Sequence, residues 1–325
     1  MTLSIALLAV AAAAEPIALT TSDGATVSLH HFSGDGRPVL LVHGLSSNHR
    51  SFDLDDRGLA HDLQDAGYDV WMLDLRGRLD STPPPGRPAW SLDDYGRHDL
   101  PAAIDHIRAE SGHDTVAYVG HSMGGMVLAI YHHWHGGSAL GPAVVLGSPL
   151  TFDHPDPLVR ASGRSMRTGQ LLRKVPSPAA AKSAAVLPRT ARVDALLFDD
   201  QGTSAATRKA MYRAIVSPMT AGELKHLGHI VRAGQLVSAD GTIDYVDSLA
   251  DWTTPLLVVA GRTDRVAPPD RVVSWIDAIP SANTTFLVAG TARGYPHEYG
   301  HLDLILADNA SAHLHADILG WLQQH

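Results

Sequence analysis

The sequence predicts an α/β fold, a mostly parallel central sheet covered by helices on both faces. Three observations carry this. Strand-like and helix-like segments alternate after Ile17, and several strand-like runs are unbroken apolar stretches ended by glycine. One run, "VAYVGHSMGGMVLAIYHHW" (116–134), passes from β-branched to helical character across a single tight turn. Unbroken apolar runs are what a strand buried on both faces requires.

Taken in order, "IALTTSDGATVSLHHF" (17–32) holds two β-rich runs around Ser22-Asp23-Gly24, a hairpin signal at the sheet edge. "PVLLVHG" (38–44) reads as a central strand, followed by a polar loop and a helix near 55–66. "YDVWMLDL" is the next strand and "SLDDYGRHDLPAAIDHIRAE" the next helix. Ser91, Asp93 and Asp94 suit the positive end of that helix. "TVAYVG" and "PAVVLGS" are two further strands, separated by the helix that begins after Ser122. Between 149 and 251 the rhythm changes to Ala/Arg-rich helical patches broken by Pro and Gly, a helical insertion in the α/β unit. Strands return in "PLLVVAG" and "TTFLVAG", and the chain ends on an amphipathic helix over about 302–323. The expected organisation is therefore a first core part (15–148), the insertion (149–251) and a second core part (252–325).

Composition narrows the function. With 45% hydrophobic and 18% charged residues, 325 residues can bury a large core, which excludes global disorder. Net charge is −9 and no basic cluster interleaves with aromatics, which argues against nucleic-acid binding. The arginines of "VRASGRSMRTGQLLRK" (159–174) read as a solvated helix face. There is no cysteine, hence no disulfide, thiolate chemistry or Cys-ligated zinc. The "HHWH" run (132–135) has no acidic residue beside it and reads as a solvated helix end rather than a metal site. Residues 1–14, an apolar run followed by Ala11–Ala14, look like a secretory signal peptide without the usual leading Lys or Arg. If that segment is such a signal, the protein is expected to be periplasmic or secreted; otherwise the segment is an Ala-rich terminal helix and the protein cytoplasmic. The run is too short to span a membrane.

Gly120-His121-Ser122-Met123-Gly124 fits G-x-S-x-G and sits between a strand and a helix, the setting in which such a serine is a nucleophile. The tight turn lifts Oγ above the sheet edge, and the first helical turn offers free N–H groups to a developing oxyanion. A serine needs a base, and the base an acid. Asp264 follows the strand "PLLVVAG", at the sheet end where ligand sites gather. After "TTFLVAG" two histidines compete, and His301, just before an apolar helical run, is the better base; His297 is then a pocket or surface residue. Met123 and Leu45, the latter after the turn at Gly44, are the candidate backbone oxyanion donors. His43, Gly44, His121 and His297 are expected to contact substrate. Nothing calls for a cofactor or a metal.

With these residues identified, the chain resembles the α/β-hydrolases, more narrowly the acid lipases and the polyhydroxyalkanoate-synthase-like hydrolases. The resemblance rests on "LLVHGLSSNHRSFD", "LQDAGYDVWMLDLRGR", "DLPAAIDHI", "GHSMGG", "VAGRTDRVAPP" and "YGHLDLI", in family order. It implies an α/β-hydrolase fold with a helical cap, a Ser122–Asp264–His301 triad, and Leu45 and Met123 as oxyanion donors. The synthases carry cysteine at the elbow, so Ser122 favours hydrolysis of a small-molecule or lipid-like ester, as a carboxylesterase or lipase-like enzyme. Thioester, amide or peptide cleavage and acyl transfer use the same triad, and a non-catalytic binding homologue is the reading from another class. The apolar residues of the insertion (Leu171, Leu172, Leu187, Leu196, Leu197, Phe198, Met211, Met219, Ile230) could line an acyl pocket or hold the insertion to the core. The sequence sets no oligomeric state.

Overall fold

In a computed structural model, residues 16–152, 174–175, 191–280 and 282–325 are described, with side chains omitted for 174–175 and 191–192. The signal-like segment 1–14, the arginines of 159–173 and Leu171, Leu172 and Leu187 lie outside the described residues.

The sheet has eight strands: β1 (Ile17–Thr20), β2 (Thr26–Phe32), β3 (Pro38–Val42), β4 (Asp69–Asp74), β5 (Val116–His121), β6 (Leu140–Leu146), and, after a short pair described below, β9 (Leu256–Gly261) and β10 (Thr284–Ala289). Their spatial order is β1-β2-β4-β3-β5-β6-β9-β10. β1 and β2 form the expected hairpin, with Ile17 opposite Leu29. β2 also runs antiparallel to β4, and the other pairs are parallel. The sheet is mostly parallel, as expected.

Alternation along the strands divides the core into two layers. Leu40, Val42, Trp71, Leu73, Tyr118, Val145 and Val258 face one side, where they meet Ile104, Ile107 and Val127. Val39, Leu41, Val70, Met72, Val119, Val144 and Val259 face the other, with Leu59, Leu63, Ile318 and Leu322. Helix α1 (Leu59–Asp65) starts later than the sequence suggests, because Asp55 and Asp56 both adopt positive φ. The next helix opens with the expected Ser91 cap, closed into a capping box by Asp94: α2 (Leu92–Asp94) widens through a π-type turn into α3 (Leu100–Ser111). Helix α4 (Met123–His135) follows β5 without a linker beyond Ser122.

Between β6 and β9 the described chain is mainly helical, with α5 (Ala191–Leu197), α6 (Ala205–Ala214) and α7 (Ala221–Ala233). It also holds a two-residue antiparallel pair, β7 (Lys174–Val175) with β8 (Met219–Thr220). Phe198 and Met211 pack into one core layer and Ile230 into the other, so these side chains hold the insertion to the core. Polar bonds add to this: Arg78 pairs with Glu223, both fully buried, and Tyr95 Oη donates to Glu223 at 2.7 Å. After β9 come the short turns α8 (Pro269–Val272) and α9 (Ser274–Ala278).

The final helix is not continuous. A turn, α10 (Asp303–Leu306), is separated from α11 (Leu314–Gln324) by an irregular stretch around Asp308. Asp308 N donates to Gly202 O, and the Asp308 carboxylate accepts from Ser204 N and Thr207 Oγ1. These bonds to the insertion turn the backbone out of the helix. The "HHWH" run is a solvated end only in part: Trp134 and His135 are exposed, but its first two residues are not. His132 is buried against Asp251 at 2.8 Å, a partner distant in sequence, and His133 bonds Ser248. Among the described residues, no helix is long and apolar enough to cross a membrane.

Candidate active site

Ser122 stands at the C-terminal end of central strand β5 with φ 53° and ψ −115°. That conformation is costly for a side chain with a Cβ and persists only where surroundings impose it. They do so here: Ser122 N donates to Leu146 O at 2.7 Å, and helix α4 starts at the next residue. The turn works because Gly124 lies flat on β3, where a Cβ would collide with the Val42 carbonyl oxygen. Ser122 is the half-exposed member of its group, while His301 and Asp264 are buried.

His301 Nε2 lies 2.9 Å from Ser122 Oγ, and His301 Nδ1 lies 2.8 Å from Asp264 Oδ2. The second oxygen, Asp264 Oδ1, accepts from Val266 N and Ala267 N, each at 2.8 Å. That fixes the carboxylate, which keeps the proton on Nδ1 and leaves Nε2 free to accept from the serine. Residues far apart in sequence are thus brought into one hydrogen-bonded chain.

The loop after β3 closes the other side. Gly44 lies against the serine: a Cβ there would stand 3.2 Å from Ser122 Cβ. Among the described residues Leu45 N has no acceptor, and Met123 N opens α4, where first-turn N–H groups lack intrahelical partners. The loop is held by contacts that sequence reasoning missed. Asn48 Nδ2 donates to Ile215 O at 2.8 Å and to Ser217 Oγ at 3.0 Å, and Ser46 Oγ donates to Ser217 O at 2.5 Å. The insertion and the loop bearing Leu45 are therefore one fastened unit.

Three of the residues expected at the substrate have other partners in the structure. His43 is fully buried; its Nδ1 donates to Gly44 O and its Nε2 accepts from Leu75 N. It anchors the loop and presents no face to a ligand. His121 is buried, and its Nε2 donates to His301 O at 3.1 Å, tying the serine turn to the His301 loop. His297 is buried on Tyr299, with Nδ1 engaged by Glu298 O and Nε2 by Asn309 Oδ1. Gly44, of that group, packs against Ser122 Cβ.

Burial lowers the His43 pKa to about 4 and drives that of His121 well below the ordinary value. Because the unfolded rings titrate near 6.5, the unfolded chain takes up protons that these two rings refuse when folded. The His43 contribution to stability is complete above about pH 6.5 and is lost as the pH falls toward 4, and that of His121 is lost in the same direction. Nitrogen-15 spectra at pH 5.5 should show His43 as the neutral Nδ1–H tautomer; a His43 midpoint near 6.5 would contradict this.

Two groups among the described residues bring three possible ligand atoms within 4.8 Å of one another, and neither includes Ser122, Asp264 or His301. In the first, His30 and His49 stack face to face at 3.6 Å, so their lone pairs run side by side, and both rings are engaged by Asp74. In the second, with Asp94 and His98, Asp23 is taken by Arg76.

Comparison with known proteins places the fold. The family model described as alpha/beta hydrolase fold matches residues 37–293. Lipase 3 of Drosophila melanogaster is 34% identical over 161 residues, covering 41% of this chain and 41% of that protein. Gastric triacylglycerol lipase of Mus musculus is 40% identical over 98 residues, 27% of this chain and 25% of that one. The chain thus spans less than half the length of these relatives. Among solved structures, a thermophilic esterase from Thermogutta terrifontis superposes with a TM-score of 0.64 at 21% identity, covering 96% of this chain and 99% of that one. A monoacylglycerol lipase from Paleococcus ferrophilus gives 0.62 at 16% identity, covering 92% and 99%. At these identities the likeness is one of fold.

Proposed function

The chain belongs to the α/β-hydrolase fold family, and from that premise we propose that it is a serine hydrolase that cleaves carboxylic esters through an acyl-enzyme on Ser122. One observation carries the reading: the hydrogen-bonded chain Ser122 Oγ–His301–Asp264, at 2.9 and 2.8 Å, with Ser122 as its accessible end. The lipases among its relatives support an ester as the bond attacked.

In the first half-reaction His301 Nε2 takes the Ser122 proton as Oγ attacks the ester carbonyl carbon. Asp264 stabilises the imidazolium through Nδ1. The carbonyl oxygen becomes an oxyanion beside Leu45 N–H and Met123 N–H; losing one such donor costs about 3 kcal/mol. The C–O bond to the alcohol then breaks, and His301 gives its proton to the leaving oxygen. In the second half-reaction His301 deprotonates water, which attacks the acyl carbon; Ser122 Oγ leaves and recovers the proton. The insertion between β6 and β9 acts as the cap that selects the acyl group.

A panel of p-nitrophenyl acyl esters of increasing chain length, with matched thioesters and anilides, tests this. The expected result is turnover of esters with a preference for one range of chain length. Faster cleavage of the anilides or thioesters would move the reading to another acyl-transfer class.

A further inference from the structure

We propose that Asp303 is a positioning residue that holds His301 in place by fastening its loop to the inserted segment Phe198–Thr203. The proposal rests on the Ser122–His301–Asp264 reading above. Asp303 is fully buried two residues beyond His301, and the acyl-transfer steps make no use of it.

His301 lies in an irregular stretch between β10 and α10, so no helix or strand ladder of its own fixes it. Its position depends on discrete anchors: the His121 bond to His301 O, the Leu302 N bond to Leu197 O, and the bonds gathered by Asp303. Asp303 Oδ2 accepts from Gly300 N at 2.8 Å, on the near side of the base, and from Asp199 N at 2.6 Å, on the insertion. Asp303 Oδ1 accepts from Thr203 Oγ1 at 2.5 Å. One carboxylate thus bridges the residue before the base and two positions of the insertion. Burial pushes its pKa up, against the opposing effect of the Thr203, Asp199 and Gly300 donors.

The two segments are in backbone contact as well. Leu302 N donates to Leu197 O at 2.8 Å, and a Cβ on Gly300 would stand 2.7 Å from Asp199 N. The brace also reaches the acid: Thr263 Oγ1, beside Asp264, donates to Asp199 Oδ2 at 3.2 Å. Segment 198–203 therefore spans the loops that carry both partners of Ser122. Movement of the insertion is transmitted to the base through Asp303.

A misplacement of about 1 Å in a reacting group can cost about 100-fold in rate. Asp303→Ala, which removes all three acceptors, is expected to lower kcat about 100-fold while KM changes by less than about threefold. Asp303→Asn is the conservative rescue: its oxygen accepts from the two backbone N–H groups, and its amide donates to Thr203 Oγ1, whose hydroxyl rotates. It should keep kcat within about threefold of the parent protein. Thr203→Val should lower kcat less than Asp303→Ala, and the double variant should be no worse than Asp303→Ala alone. The downfield proton resonance of the His301 Nδ1–H···Asp264 bond should be lost in Asp303→Ala and kept in Asp303→Asn.

Parental kcat in Asp303→Ala, a change confined to KM, or full additivity with Thr203→Val overturns the proposal. If Asp303→Ala does not fold, the pair Asp303→Asn and Thr203→Val decides: parental kcat in Thr203→Val overturns it, and a selective kcat loss there beside an active Asp303→Asn supports it. The resonance separates this proposal from the reading beneath it. Its loss in Asp303→Ala supports the positioning role even in a protein that turns over no ester. Ester turnover that depends on Ser122 but survives Asp303→Ala, with the resonance intact, leaves the hydrolase reading standing and removes the positioning role.

Discussion

Ser122→Ala is expected to lower ester turnover by about six orders of magnitude, the loss found when a serine hydrolase gives up its nucleophile. Without Oγ no acyl-enzyme forms, and what remains is whatever the oxyanion donors and binding achieve with water. The fold should survive, because alanine keeps the Cβ and the Ser122 N–H bond to Leu146 O. Ser122 adopts the strained φ of 53° with or without its hydroxyl, so the variant should melt within a few degrees of the parent. Purified Ser122→Ala with parental kcat on p-nitrophenyl esters would remove Ser122 from the mechanism.

Asp264→Asn is expected to lower kcat about 10⁴-fold with little structural change. The reason is specific to how this carboxylate is held. Oδ1 faces the Val266 and Ala267 N–H groups, so an asparagine must place its oxygen there. Its amide nitrogen then occupies the Oδ2 position and presents an N–H to His301 Nδ1. The ring answers by moving its proton to Nε2, the atom that must accept from Ser122 at 2.9 Å. The base becomes a donor in the wrong place. Steady-state kinetics over a pH range check this, since the lost rate should return in part at alkaline pH, where hydroxide can serve as base. A loss of less than about tenfold would mean that the Asp264 contact at 2.8 Å does not set the tautomer.

The sheet was legible in the sequence because its strands announce themselves locally. "PVLLV" and "LLVVAG" are buried at every position, which only a strand covered on both faces tolerates. The turn at Ser122 was legible for the same reason: a strand, two flanking glycines and a helix are adjacent in the chain. Asp264 and His301 followed from order and from their places after strands. What the sequence did not reveal is tertiary. Asn48 meets Ser217 across 169 residues, Arg78 meets Glu223 across 145, and Asp303 meets Thr203 across 100. Such pairs leave no periodicity to read, so the fastening of the insertion was invisible, and with it the break in the final helix at Asp308. The partners of two histidines were hidden for the same reason. His43 stands beside Gly44 and His121 beside Ser122 in sequence, but Leu75 N and the His301 carbonyl claim their rings in space.

Those long-range bonds give the molecule a consistent design. The loop after β3 is tied to the insertion through Asn48 and Ser46, and the base loop is tied to it through Asp303 and Leu302. The groups around Ser122 are thus buttressed on two sides by the segment we propose to select the substrate. Rate and specificity should respond together to changes there.

The most direct measurement of the central claim is to expose the purified protein to a fluorophosphonate and map the adduct by mass spectrometry. A single phosphonylated site at Ser122, absent from Ser122→Ala and formed far more slowly in Asp264→Asn, is the expected result. A protein that stays unlabelled, or carries its adduct on another residue, would contradict Ser122 as the nucleophile.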